Sequence, residues 1–228
     1  MSPVAWVTGA GRGLGRAVAL SLARRGLQIG MLGRPSAGHA ETAAAIRAGG
    51  GRAVEAFADF ADAESLVGAA DSLMSDLGVP EVVVHNAGLV VRASVQESTI
   101  EDWDRQLDVN LRAPFVLTRF LLPSMRPLRR GRSIFVGSIS GTLGSPGAAA
   151  YAASKWGLTG FVKSLAVELS DSGLMACAVL PGSIDTEMLK GSSFPPRMSA
   201  EEVARTIEFL ALDAPLAHNG AVVEMFGV

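Results

Sequence analysis

Short apolar runs rich in Val, Ile and Leu recur along the chain at Val4 to Thr8, Gln28 to Leu32, Ala53 to Ala58, Glu81 to His85, Ser133 to Gly137, Met175 to Leu180 and Ala221 to Met225. Between them lie longer stretches in which apolar residues return every three or four positions. Continuous apolar runs of this length fit strands buried on both faces, and the intervening periodicity fits the helices that bury them. Helix starts are marked by Ser98 with Glu101 and by Ser199 with Glu202, both spaced as capping boxes. Seven strands alternating with six helices predict an α/β fold, a parallel, doubly wound sheet with helices on both faces, since right-handed crossovers place them there. No linker or repeat interrupts the pattern, so residues 1–228 read as a single domain. Leu189 to Met198 stands apart, with Gly191, Ser192, Ser193, Pro195 and Pro196. Ligands of such sheets sit at the carboxyl ends of the strands, which makes this stretch a candidate lid.

The first strand runs into Thr8-Gly9-Ala10-Gly11-Arg12-Gly13-Leu14-Gly15 and then into an apolar helix, Arg16 to Arg25. Glycines at a strand-to-helix turn let the backbone approach a pyrophosphate that the helix N-terminus stabilises. The strict Gly-x-Gly-x-x-Gly spacing is not met, position 16 being Arg, and a turn shaped only for packing is the plain alternative. Dinucleotide sites of this kind hold the adenosine ribose with an acidic residue about 20 positions on, or place an arginine there for a 2′-phosphate. Nothing acidic occurs from Met1 through Ala40, and the second strand ends in Gly33-Arg34. A guanidinium binds a phosphate that a carboxylate would repel, so Arg34, with Arg12 inside the loop, points to NADP(H). Arg34 also fits an ordinary solvated charge.

Tyr151 is the single tyrosine of the chain and Lys155 one of its three lysines. On a helix beginning near Ala149 the two share one face, four residues apart. A phenol near pKa 10 is a weak acid-base group at neutral pH, and a neighbouring ammonium beside a cationic oxidised nicotinamide favours its phenolate.

Composition narrows the partners. Of 228 residues 49% are hydrophobic and 18% charged, with a formal net charge of −2, so the basic excess of a nucleic-acid binder is missing. Lone Cys177 and scattered His39, His85 and His218 offer neither a disulfide nor metal-ligand spacing. Met1-Ser-Pro-Val-Ala-Trp-Val-Thr-Gly has no basic leader and runs straight into the glycine loop. The expectation is therefore a metal-free cytoplasmic protein with no nucleic acid or membrane as partner.

Thr8 to Gly15, Asp59 after the third strand, Asn86-Ala87-Gly88 after the fourth, Asn110, Ser138 after the fifth, Tyr151 with Lys155, and Pro181-Gly182 with Thr186 after the sixth together resemble the short-chain dehydrogenase/reductase family over essentially the whole chain. The ketoacyl-carrier-protein reductase-like branch is the most similar. The resemblance implies a Rossmann domain and hydride exchange between NADP(H) and a small carbonyl or alcohol substrate of ketone, aldehyde or 3-ketoacyl type. It implies a catalytic set of Ser138, Tyr151, Lys155 and Asn110. In it Tyr151 gives or takes the proton, Ser138 hydrogen-bonds the substrate oxygen, Lys155 also holds the nicotinamide ribose, and Asn110 anchors a proton-relay water. Cofactor contacts carried over with it are Gly9, Gly11, Arg12, Gly13, Leu14, Gly15, Arg34, Asp59, Phe60, Asn86, Ala87, Gly88, Pro181, Gly182, Ile184 and Thr186. Ser138 also fits a strand-end cap, Asn110 a helix hydrogen bond and Asp59 a turn residue.

The chain departs from the family at His85, where an Asn is usual, which reads as a packing change. It departs again at its end, Val223-Glu-Met-Phe-Gly-Val, which lacks the Asp-Gly-Gly common there, and in a short loop after Thr186 that suggests an open substrate site. Arg126, Arg129, Arg130 and Arg132 form a basic cluster that fits a solvated face better than an acyl-carrier-protein dock. A non-catalytic NADP(H)-binding regulator is the competing reading, disfavoured by the intact Ser138, Tyr151, Lys155 and Asn110; a methyltransferase of similar architecture is disfavoured by the missing acid after the second strand. The helix of Tyr151 also carries Trp156, Gly157, Gly160, Phe161, Leu165 and Leu169, more apolar surface than one sheet covers. This predicts a symmetric homo-oligomer, a tetramer before a dimer.

Overall fold

The computed structural model describes residues 2–192 and 194–227. Seven parallel strands form one sheet: β1 (Val4–Thr8), β2 (Gln28–Gly33), β3 (Ala53–Phe57), β4 (Val82–His85), β5 (Gly131–Val136), β6 (Leu174–Pro181) and β7 (Val222–Met225), in the order β3-β2-β1-β4-β5-β6-β7. Each of the seven apolar runs is a strand, with ends shifted by at most two residues. The helices are α1 (Gly13–Arg24), α2 (Ala37–Ala48), α3 (Ala63–Leu77), α4 (Ile100–Leu107), α5 (Ala113–Met125), α6 (Ala149–Glu168) and α7 (Ala200–Leu212). A π-helical turn, Asp108–Arg112, joins α4 to α5 without a break, so one bent helix serves the fourth crossover and six crossovers suffice.

The helices cover the sheet from both sides. Leu22, Ile29, Val203 and Ile207 belong to the cluster beneath α1 and α7; Leu66, Leu117, Phe135 and Val162 belong to the one beneath α3, α5 and α6. Strands flanked this way have no wet face, which is why β1, β4 and β6 are buried at every position.

Ser199 and Glu202 form the expected capping box at α7. The box expected of Ser98 and Glu101 is displaced by one residue. Thr99 caps α4 by accepting from the Asp102 amide, while Ser98 belongs to the preceding turn, its amide and hydroxyl both donating to the Ser94 carbonyl at 2.9 Å.

Candidate active site

Between β1 and β4 the strand order reverses, and the crevice at their carboxyl ends is the natural ligand site of such a sheet. Thr8 and Asn86 fasten its floor. The buried Thr8 hydroxyl accepts from the amides of Asn86 and Ala87, both at 2.9 Å, and the Asn86 side-chain amide donates to the Thr8 carbonyl at 3.0 Å. Gly15 lies so close to this pair that a β-carbon would stand 2.2 Å from the Gly9 carbonyl oxygen and 2.5 Å from Asn86 Nδ2. Gly15 thus does the close-packing work of the third glycine of a dinucleotide loop although the spacing is irregular. Gly13 holds φ of +51° against Thr186, a conformation that favours glycine.

The start of α1 is open to an anion. Arg12 is its N-cap but makes no side-chain cap, and no acidic residue stands in the first turn, so the first amides of the helix remain unspent. These features fit a dinucleotide pyrophosphate. The Leu14 side chain is buried in the core, so only its backbone serves the loop. The Arg12 guanidinium is ion-paired with Glu187, in the short 3-10 turn Glu187–Leu189 that follows Thr186. Arg34 is exposed just past β2, beside the start of α2, which Ser36 caps.

The remaining cofactor candidates ring the same edge. Asp59 is exposed after β3, and its carboxylate accepts from the Ala61 amide at 3.0 Å, the turn role that was its alternative. Phe60 packs on the core beneath α3. Pro181 ends β6, the Gly182 amide donates to the Met225 carbonyl at 2.8 Å, and Ile184 pairs with Met198 in an isolated bridge. That bridge pinches the base of the candidate lid; Ser193 of that stretch lies outside the described residues.

Tyr151 stands in the first turn of α6, and Ser138 follows β5 as the cap of the 3-10 turn Ile139–Gly141, its hydroxyl accepting from the Ser140 amide at 3.1 Å. The cap alternative is therefore also true, and it leaves the hydroxyl proton free to donate. Lys155 is buried; its ammonium donates to the Val136 carbonyl at 2.9 Å and lies 5.6 Å over the Tyr151 ring. Burial lowers its pKa to about 8. Burial also raises the pKa of the half-buried phenol; the nearby Ser138 hydroxyl and the charge of Arg92 pull it back down. The phenol thus moves opposite to the direction expected from Lys155 beside a cationic nicotinamide, because desolvation outweighs the Ser138 hydroxyl and the charge of Arg92.

Asn110 sits in the π turn, a distortion that recurs at functional sites. Its Oδ1 accepts from the Leu89 amide at 2.9 Å, and its Nδ2 donates to the Leu89 carbonyl at 2.9 Å and to Ser154 Oγ at 3.0 Å. Both amide protons are spent on the protein, so the side chain acts as a strut between the β4 exit and α6. A β-carbon on Gly88 would lie 3.1 Å from Asn110 Oδ1 and 3.6 Å from Lys155 Nζ, which shows how tightly the three converge.

Other sequence expectations resolve as packing. His85 is buried, stacked on Phe135 at 4.3 Å and 5°, and its pKa falls to about 3, so it stays neutral. The arginine cluster stands at the opposite end of the sheet from Tyr151. Arg130 pairs with Glu81, and Arg129 donates to the Asp171 carbonyl. Arg132 donates to the carbonyls of Leu210 and Ala214. On α6 and at its end, Leu165 and Leu169 belong to the protein's own core and Gly157 faces Leu111, so the helix exposes Ala149, Trp156, Gly160 and Val167 together with the polar Lys163, Ser164 and Glu168. Arg92 was missed. Its one signal was a lone charge in the otherwise apolar and small run from Ala87 to Ala93, just after Asn86.

Residues 3–194 match the model of the short chain dehydrogenase family. The chain is 35% identical over 225 residues to a 3-oxoacyl-(acyl-carrier-protein) reductase of Synechocystis, covering 94% of this chain and 91% of the relative. It is 32% identical over 236 residues to the reductase of that name from Escherichia coli, covering 98% and 96%. A crystal structure of a dehydrogenase/reductase from Sinorhizobium meliloti superimposes with a TM-score of 0.91 at 31% identity, over 99% of this chain and 94% of the other.

Proposed function

We propose, from the premise that this chain belongs to the short chain dehydrogenase family of oxidoreductases, that it interconverts a carbonyl and an alcohol with NADP(H), Tyr151 serving as the proton donor and acceptor. The observation that carries the reading is the convergence of Ser138, Tyr151 and Lys155 at the same sheet edge as the glycine-lined cradle.

The open α1 N-terminus and the close-packed loop from Gly9 to Gly15 would hold the pyrophosphate, and Arg34 the 2′-phosphate. When bound, the dinucleotide supplies the hydride in reduction and accepts it in oxidation. The protein's own groups handle the oxygen and its proton. Ser138, whose hydroxyl proton is not used by the cap, donates to the substrate oxygen and stabilises the charge that develops there. Tyr151 transfers its phenol proton to that oxygen in reduction, and burial keeps that proton in place until it is needed. One proton of the Lys155 ammonium is used on the Val136 carbonyl; the others are available to ribose hydroxyls, and the charge under the ring steadies the phenolate left behind.

Among the described residues no helix is long and apolar enough to cross a membrane. We place the protein in the cytoplasm, acting on small molecules and assembled as a homo-oligomer through faces such as Trp156 on α6. Ketones, aldehydes and 3-ketoacyl thioesters are the substrate classes, the last following the names of the two reductases above. NADPH consumption against a panel of all three tests the reading. Turnover of a member of the panel that disappears in Tyr151→Phe is the expected result; no consumption across the panel would overturn it.

A further inference from the structure

Arg92 is exposed and takes part in none of the ion pairs among the described residues. The segment that carries it is fastened to the elements that carry the catalytic groups. Leu89 is bonded through both its amide and its carbonyl to Asn110. The Val91 amide donates to the buried Gln106 side chain at 2.9 Å. The Ala93 amide donates to the Gly147 carbonyl at 3.0 Å, in a bridge that pairs Ala93 with Ala148, three positions before Tyr151. The backbone on both sides of Arg92 is thus fixed next to the start of α6, and the charge of Arg92 favours the ionised form of the Tyr151 phenol.

We propose that Arg92 is the substrate-anchoring residue of this site and that the substrate carries a carboxylate on the same small molecule as the reacting carbonyl, an oxo acid in reduction and a hydroxy acid in oxidation. The inference rests on the reductase reading above and narrows its substrate class. A guanidinium is always charged and presents a planar fork that matches a carboxylate bidentately. Lys155, the other cation acting at the phenol, is buried and donates to the Val136 carbonyl, whereas Arg92 is exposed to solvent. One planar cation suits a planar monoanion; a phosphate dianion normally draws on several donors or a helix N-terminus.

The test compares 2-, 3- and 4-oxo acids of four to six carbons with their methyl esters, in the intact protein with NADPH, and adds a phosphate monoester of a hydroxyketone as a third arm. The expected result is at least ~10-fold higher kcat/KM for one of the acids than for its ester, the range of a charge-assisted hydrogen bond. Arg92→Gln should collapse that ratio to within about 2-fold, mainly through KM of the acid, and Arg92→Lys should restore part of it. The ratio is the decisive quantity because a merely structural or phenol-activating role for Arg92 would depress acid and ester together. Esters reduced as well as acids, a phosphate preferred to every acid, or a ratio that survives Arg92→Gln would overturn the proposal and leave the reductase reading standing. No turnover of any acid, ester or phosphate, together with none of the wider panel above, would overturn both.

Discussion

Lys155 reaches beneath Tyr151 from one helical turn further along α6, its ammonium 5.6 Å from the ring centroid and hydrogen-bonded to the Val136 carbonyl at the end of β5. The bond locks the lysine to the central sheet and fixes its charge beside the ring of Tyr151 on the same helix. Positioning of this kind is what proton transfer requires, since the donor has to reach the reacting oxygen without reorganising.

Tyr151→Phe is expected to lower turnover by at least ~100-fold, the range for loss of an acid-base group, while leaving NADPH affinity nearly unchanged. Ring volume is kept, so the fold survives. Steady-state kinetics beside a fluorescence titration of NADPH measures both, and a variant that keeps most of its activity would show that another group moves the proton.

Burial of Lys155 makes the stability of the cofactor-free protein depend on pH in a defined window. Its pKa falls from 10.5 to about 8 on folding, so between these values the unfolded chain binds more protons than the native one. Stability therefore rises with pH across that window, and the cost of burying the charge is fully present below it. At ~1.4 kcal/mol per pH unit the effect is on the order of 3 kcal/mol. Lys155→Met lacks it. Denaturant unfolding from pH 7 to 11 should show wild type gaining on the variant above pH 8; a constant difference would mean the ammonium is already compensated in the fold.

Cofactor preference should rest on Arg34. A guanidinium–phosphate hydrogen bond is worth on the order of 1.5 to 3 kcal/mol, so NADPH is expected to exceed NADH by at least ~10-fold in kcat/KM. Arg34→Asp should reverse the order by replacing attraction with repulsion. Arg12→Ala should do less, because Glu187 already engages that guanidinium. Equal efficiencies with the two dinucleotides in the unmodified protein would remove the assignment.

Trp156 is 53% exposed on the helix that bears Tyr151, and Gly160 leaves room beside it. An apolar ring in such a place fits a contact between copies of the chain. Sedimentation at micromolar concentration should show an oligomer, and Trp156→Asp should shift it toward smaller species. A monomeric wild type would refute the assembly.

Much of the fold was legible because parallel strands covered on both faces leave a direct trace, the continuous apolar runs at Val4 to Thr8 or Met175 to Leu180. Local chemistry was legible at the same level. The Ser199–Glu202 box, the glycine turn and the four-residue offset of Tyr151 and Lys155 all depend on neighbours in the chain. The cap at Thr99 was missed because Ser98 is drawn into the preceding turn, where its amide and hydroxyl both donate to the Ser94 carbonyl.

By itself the sequence determined the alternation of strands and helices, the absence of a carboxylate before Glu41, and the pairing of one tyrosine with one lysine on a helix face. These follow from periodicity and composition, which need no knowledge of distant contacts. Only the tertiary structure decided which charges are free. It paired Arg12 with Glu187, spent Arg130 and Arg132 at the far end of the sheet, turned Asn110 into a strut and left Arg92 exposed with its charge acting on the phenol. The reason is that a charge's role is set by its dielectric surroundings and its partners, and in a doubly wound sheet those partners come from strands and loops far apart in the chain.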